Sequence, residues 1–432
     1  METADESDGG DGLRSDDETP RGLYRRTFLA AALGAGVALA GCGQQPTEQP
    51  TTTTQTGDDL EPTTTITPTE PAYVTYAGFL DEDELTAIQR KVAAREDPWY
   101  SGFLALRRSA NRALGTRPTS VVTNGAPDGV AANRFATDAD RTDYSNALQM
   151  SHAIRDLGMG YAFTGDDRYA QKAISLLDHW CLDPETAMYP SGRNHGEAYF
   201  SIEIYITIPT MIYGASFLSG HQAWAETHGG ETAFRAWVEA FREDLEAGRE
   251  QNRYTGVVKN NIFAWWIFSR ATAAAYLDDR DALDTAFDDW RSGALDQITE
   301  DGLLEYERQR EDGLQYSMYG LKALTMTAEI ARHYDEDLYD YRTADVPETS
   351  ALKRAFTYYA RYVASSDGWE WGIGDNGYTK DEQEEGASVY ELAYSQWSDD
   401  AYLDAVNAVG RPVFDRRILG WTSLTHANRF AL

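Results

Sequence analysis

Cysteine is almost absent from this chain of 432 residues, and basic side chains are scarce. Only Cys42 and Cys181 occur, so a cysteine-rich scaffold is excluded. Cys181 ends Leu176-Leu177-Asp178-His179-Trp180-Cys181, on the apolar face of an expected helix, where a buried, inert thiol is the ordinary reading. Against 70 acidic residues stand 38 basic ones, a net charge of -32. That excess opposes binding to nucleic acid or to an anionic membrane surface. Acids scattered through every segment, with lysine rare, read as a surface adapted to high salt, that of a halophile. There is no G-x-S-x-G and no H-E-x-x-H, and the histidines show no pairing at metal-ligand spacing. No metal or organic cofactor is expected.

Two other signals fail on context. Gly372-Ile373-Gly374-Asp375-Asn376-Gly377 matches a dinucleotide-binding fingerprint by letter, but it follows no strand and leads into an acidic stretch. Read as an EF-hand loop from Asp375, the same region puts Lys380 where glycine is needed and Gly386 where glutamate is needed.

The N-terminus carries targeting features. Residues 1–20 are acidic and lack an apolar period. Tyr24-Arg25-Arg26-Thr27-Phe28-Leu29 resembles a twin-arginine export signal, and the apolar run after it is too short to span a bilayer comfortably. The run ends Leu39-Ala40-Gly41-Cys42, which resembles a lipobox with Cys42 as the lipidated residue; an ordinary cleaved signal is the alternative. Residues 43–72, rich in Thr, Pro and Gln, read as a flexible stalk. The expectation is an exported domain at the cell surface, meeting the membrane only through its lipid.

Residues 73–432 form one expected domain, and its hydrophobic period is helical. Leu85, Ile88 and Val92 share a face, as do Tyr169, Ala173, Leu176 and Trp180, and again Phe234, Trp237, Val238, Phe241 and Leu245. Gly165-Asp166 reads as a helix stop followed by a helix start. Further helices are expected at 145–163, 198–219 with a kink at Pro209, 260–277, 281–298, 314–334, 349–364 and 388–408. About ten helices with modest loops give an all-α fold, either an α/α toroid or a helical bundle array, which periodicity cannot separate. Trp and Tyr are plentiful, at 11 and 26, and such rings serve both for core packing and for stacking on sugars.

Asp97-Pro98-Trp99, Gly160-Tyr161-Ala162-Phe163-Thr164-Gly165-Asp166, Arg168-Tyr169-Ala170, Trp180, Asp183-Pro184-Glu185-Thr186 and Met188-Tyr189-Pro190 occur in order. Lys259-Asn260-Asn261, Trp265 and Arg310 through Tyr316 follow. Together these resemble the alginate lyase family of polysaccharide lyases over most of 80–330. The resemblance implies an incomplete α/α toroid and β-elimination on an anionic, uronate-containing polysaccharide such as alginate. That reaction needs the substrate carboxylate neutralised, the C5 proton removed and the O4 leaving group protonated.

On the resemblance, Tyr316 is the proton-transfer group, with Asn261 and Arg310 holding the carboxylate. Asn260, Arg308, Gln315, Tyr319, His195, Arg193, Lys259 and Trp265 are candidate substrate contacts. Two departures stand out: relatives usually have histidine after the Asn pair and before the Tyr, where this chain has Ile262 and Gln315. His195, in a polar loop, could supply the missing imidazole or could be a plain solvent-facing residue. Read alone, Asn-Asn is a helix cap and Tyr316 a packed aromatic. Two other readings stay open: a glycan-binding surface lipoprotein without chemistry, and a toroid glycoside hydrolase using carboxylates such as Glu391 and Asp375.

Overall fold

The computed structural model describes residues 75–122, 127–251, 260–293, 297–371 and 378–432. The export signal, Cys42, the stalk, Lys259 and the segment 372–377 lie outside these residues. One compact unit spans Thr67–Leu432. Among its described residues there are thirteen α-helices and no strand. They are α1 (Glu82–Ala93), α2 (Trp99–Ala113), α3 (Thr142–Thr164), α4 (Asp167–Leu177) and α5 (Ser201–Ser216). Next come α6 (Gly230–Gln251), α7 (Asn261–Leu277), α8 (Arg280–Ser292) and α9 (Gly313–Arg332). Last are α10 (Ala351–Tyr359), α11 (Lys380–Trp397), α12 (Asp400–Val409) and α13 (Thr422–Thr425). None is long and apolar enough to cross a membrane.

Apolarity on every side of a helix demands burial on every side. Five helices meet that demand: residues 153–160 of α3, 203–216 of α5, 263–276 of α7, 320–331 of α9 and 386–393 of α11 are buried without a break. They pack in succession, α3 on α5, α5 on α7, α7 on α9 and α9 on α11. One-faced helices cover them: α4 on α3 and α5, α6 and α8 on α7, α10 on α9, and α12 on α11. Between α11 and α3 the ring is filled by α13 and α2. The result is an incomplete α/α toroid.

Inner helices pack closely where side chains permit. A Cβ on Gly158 of α3 would lie 2.1 Å from the Gly214 carbonyl oxygen of α5, so only glycine allows that approach. Helix α5 runs through Pro209, whose missing N–H leaves the Tyr205 carbonyl without its intrahelical donor. The Ser269 hydroxyl of α7 lies 3.1 Å from that oxygen and takes the donor's place.

Several boundaries differ from the sequence reading. The expected helix at 388–408 is two helices, because Ser398 adopts a left-handed conformation (φ +50°) and Asp399 caps α12. The expected helix at 281–298 stops at Ser292, and that at 349–364 ends as a 3-10 turn at Ala360–Tyr362. The stop and start at Gly165 and Asp166 hold: Gly165 takes φ +66°, and Asp166 accepts the Arg168 N–H.

The inner helices run in the same direction. Arg141 meets Glu203 at one end of α3 and α5, and Gly158 meets Gly214 further along. Asn261, the first residue of α7, lies beside Gly320 in the first half of α9, while the Tyr334 hydroxyl, just past the end of α9, reaches the Ala275 carbonyl near the end of α7. Their N-termini, the positive ends of the helix dipoles, therefore gather at one end of the toroid.

Candidate active site

Helix α7 starts at that end because Asn260 caps it, its Oδ1 accepting the N–H groups of Ile262 (3.0 Å) and Phe263 (3.4 Å). The next residue faces inward. Asn261 is only 2% exposed, and Glu307 Oε1 accepts both its backbone N–H (2.7 Å) and its Nδ2 (2.6 Å). A carboxylate can only accept here, which fixes the amide with nitrogen toward Glu307. Fully buried Glu307 sits in the turns before α9, and its Oε2 accepts from Arg310 Nη1 at 2.9 Å. The Arg310 guanidinium lies 3.4 Å from the centroid of the Tyr316 ring, with its side chain 33% exposed. Asn261, Arg310 and Tyr316 are thus joined through one carboxylate.

One turn along α9, Tyr319 packs on Trp265 (ring centroids 4.8 Å apart) and lies under the Arg417 guanidinium, also at 4.8 Å. Trp265 is fully buried, so it backs Tyr319 and cannot itself touch a ligand. Burial pushes the Tyr319 phenol well above its ordinary pKa, so it stays protonated. Arg417 donates to the Tyr144 hydroxyl at 3.3 Å, and Arg141 lies over the Tyr144 ring at 4.6 Å. Arg308 donates to Glu305 and covers Trp371 at 4.3 Å. Gln315 is partly exposed beside Tyr316, and Ile262 packs against the core.

The loop from Ser191 to Glu197 is folded around Asn194, whose Oδ1 accepts the N–H groups of Thr137, Gly196 and Glu197. In it, His195 Nε2 lies 3.3 Å from Arg134 Nη1. Arginine only donates, so that nitrogen accepts and the proton belongs on Nδ1. Burial, and then Arg134, lower the His195 pKa against the pull of Asp244. A neutral imidazole whose Nε2 is already occupied suits ligand binding better than proton abstraction. Arg134 stacks on Tyr189 at 3.6 Å, and Arg193 lies 3.7 Å from Asp244.

Sequence reasoning missed Glu307, Arg417, Arg141 and Tyr144. Glu307 had a weak signal, its i,i+3 spacing to Arg310; Arg417 had none, since only folding brings it to α9. The hydrolase reading loses its described carboxylate. Glu391 is fully buried and held by Arg411 (2.9 and 2.7 Å) and Ser423 (2.5 Å). Asp81, Glu84 and His333 lie close enough to share an ion, but Glu84 is already engaged by His333 and Arg332, each at 2.8 Å, in the capping box of α1.

The toroid resembles solved structures. An alginate lyase from Bacteroides ovatus superposes with a TM-score of 0.67 at 21% identity, covering 76% of this chain and 94% of that one. Alginate lyase A1-III from Sphingomonas species A1 gives 0.59 at 17% identity, covering 83% and 97%. A variant of A1-III complexed with a tetrasaccharide gives 0.60 at 18%, with 83% and 97% covered. At these identities the likeness concerns the fold. No curated protein matches the chain. The alginate lyase family model, however, matches residues 88–369, well over half of the sequence. By that match the chain belongs to the alginate lyase family of polysaccharide lyases.

Proposed function

We propose that this chain cleaves a uronate-containing polysaccharide, alginate or a close relative, by β-elimination. The observation that carries the reading is the Arg310 guanidinium on the Tyr316 ring, tied through Glu307 to Asn261. In this reading Arg310, the exposed member, pairs with the C6 carboxylate, and the remaining Nδ2 hydrogen of Asn261 assists. Neutralising that charge acidifies the C5 proton. The Tyr316 phenolate takes the proton, the electron pair forms the C4–C5 double bond, and the C4–O4 bond breaks. The phenol then returns a proton to O4, so one group serves as base and acid when both events occur on one face.

Arg308, Arg193 and Lys259 raise the local potential for a polyanion in a chain whose net charge would repel one, and neutral His195 offers a hydrogen bond beside them. Gln315, Tyr319 and Asn260 line the same helix ends, and Lys259 adjoins Asn260 in sequence. That a relative of the same fold is complexed with a tetrasaccharide supports a carbohydrate ligand. The test is incubation with a panel of polyuronates in high salt, followed by ultraviolet absorbance. Elimination leaves an absorbing unsaturated end, hydrolysis leaves a saturated one, and a binder without chemistry leaves the polymer intact.

The motif order from Arg25-Arg26 to Cys42 supports export and lipid anchoring at the cell surface, with the stalk holding the domain off the membrane.

A further inference from the structure

Two segments at the site end of the toroid are zipped together. The Tyr189 N–H donates to the Asn133 carbonyl and the His195 N–H to the Phe135 carbonyl, both at 2.8 Å. The Phe135 N–H reaches Ser191 Oγ at 3.3 Å, and the Thr137 N–H reaches Asn194 Oδ1 at 3.2 Å. This pairing lays Arg134 on the Tyr189 ring and against His195 Nε2.

Ala136 is held to α3 through Asp143, and Asn194 to α5 through Ser201 Oγ at 3.0 Å. Glu203 fastens the point where the two segments meet. It lies in the first turn of α5 and is 1% exposed. Its Oε2 accepts the Thr137 hydroxyl at 2.7 Å, and its Oε1 accepts Arg141 Nε at 2.8 Å. The Thr137 hydroxyl spends its one proton on Glu203, so it accepts from the Asn194 side-chain amide. Amide, hydroxyl and carboxylate thus form a directed relay across both segments. Burial pushes the Glu203 pKa up, and Arg141 and the Thr137 hydroxyl pull against it. A buried carboxylate is costly unless it is paired and hydrogen-bonded. Arg141 meets that need from a left-handed backbone (φ +54°), which residues other than glycine disfavour. Strain retained at a fastening point is the kind of outlier that marks a functional constraint.

We infer that Glu203 is a positioning residue: it fastens residues 133–141 to residues 189–197 and so sets the place of Arg134, Arg193 and His195, without touching substrate itself. The inference rests on the reading above, in which Arg193 and His195 meet the polyanion. Asn261 begins α7, and Arg310 and Tyr316 lie just before and on α9, so the proton-transfer groups sit on other elements. Loosening the zip should therefore weaken binding and spare turnover.

Two readouts on Glu203→Gln test this. The amide keeps the shape but offers one oxygen where two are used. On polyuronate, KM should rise by about tenfold, the scale of a cut charge-assisted tether, with kcat within about threefold of the wild type. The second readout needs no substrate. Burial and then Arg134 lower the His195 pKa; Asp244 opposes them and Arg193 adds to them. Withdrawing Arg134 and admitting water should move the His195 titration midpoint up in proton NMR, its resonance being identified by its absence from His195→Gln. If Glu203→Gln does not fold, Thr137→Val cuts the same relay without a change of charge and should shift both readouts in the same directions. An unmoved His195 midpoint in the folded variant would overturn the positioning role, as would a fall in kcat at unchanged KM. The two proposals fail separately. A moved midpoint in a protein that forms no unsaturated product keeps the positioning role and sinks the lyase chemistry. Unsaturated product with an unmoved midpoint does the reverse.

Discussion

Glu307 accepts two hydrogen bonds from Asn261 on a single oxygen, at 2.7 and 2.6 Å, and gives its other oxygen to Arg310. The first bond replaces a donor-side partner that the start of α7 lacks, and the second sets the amide. The third holds the guanidinium against Tyr316. One buried carboxylate thereby positions groups from two stretches nearly fifty residues apart.

Glu307→Gln should therefore lower kcat by about tenfold or more, the loss expected when a charge-assisted tether is cut. KM should stay level or fall, because Arg310 is released from its internal partner. A double-mutant cycle with Asn261→Ala checks the route: if Glu307 acts through Asn261, the two losses are not additive. Additive losses, or an unchanged kcat, would show that Glu307 only caps α7.

A pH-dependent stability should come from Asp143 in the first turn of α3. It is fully buried, with Ala136 N–H donating to Oδ2 at 2.8 Å. Burial, aided by nearby Asp138 and Glu203, pushes its pKa up to about 7. An unfolded aspartate gives up its proton near pH 4. The folded state thus holds a proton that the unfolded state releases. The stabilisation is complete below about pH 4 and is lost as the pH rises through about 7. Asp143→Asn, which keeps the acceptor, should flatten the fall in melting temperature between pH 4.5 and 7.5. Parallel melting curves for variant and wild type across that range would contradict this assignment.

Much of this was legible from the sequence, and the reason differs by element. The apolar stripe of Phe234, Trp237, Val238, Phe241 and Leu245 announced α6 because a one-faced helix writes its buried side into its spacing. The inner helices α5 and α7 are apolar all round, so their existence was readable while their neighbours were not. The break at Ser398 was missed because a left-handed serine carries no local signature as clear as glycine. At the site, Asn261, Arg310 and Tyr316 were visible as motifs, and the likeness to a family was what made them stand out. The inward turn of Asn261, the burial of Trp265 and the arrival of Arg417 are tertiary facts. No spacing along one helix encodes them.

Export and anchoring give a prediction that does not depend on the catalytic site. Changing Arg25 and Arg26 to Lys should leave precursor in the cytoplasm, and Cys42→Ser should release the domain from membranes. Fractionation of cells expressing each variant reads both. A Cys42→Ser protein that still sediments with membranes would contradict the lipid anchor.

The central claim is that the Tyr316 hydroxyl moves the proton in an elimination, and its removal tests that claim most directly. Tyr316→Phe keeps the ring, the stacked Arg310 and any sugar packing, and deletes one oxygen. Unsaturated product, followed by ultraviolet absorbance on polyuronate in high salt, should form roughly a hundredfold more slowly or worse, the scale of a lost acid–base group. Affinity for the polymer should stay within a few-fold, because the hydroxyl acts in the transition state rather than in binding. Wild-type turnover in Tyr316→Phe would contradict the mechanism.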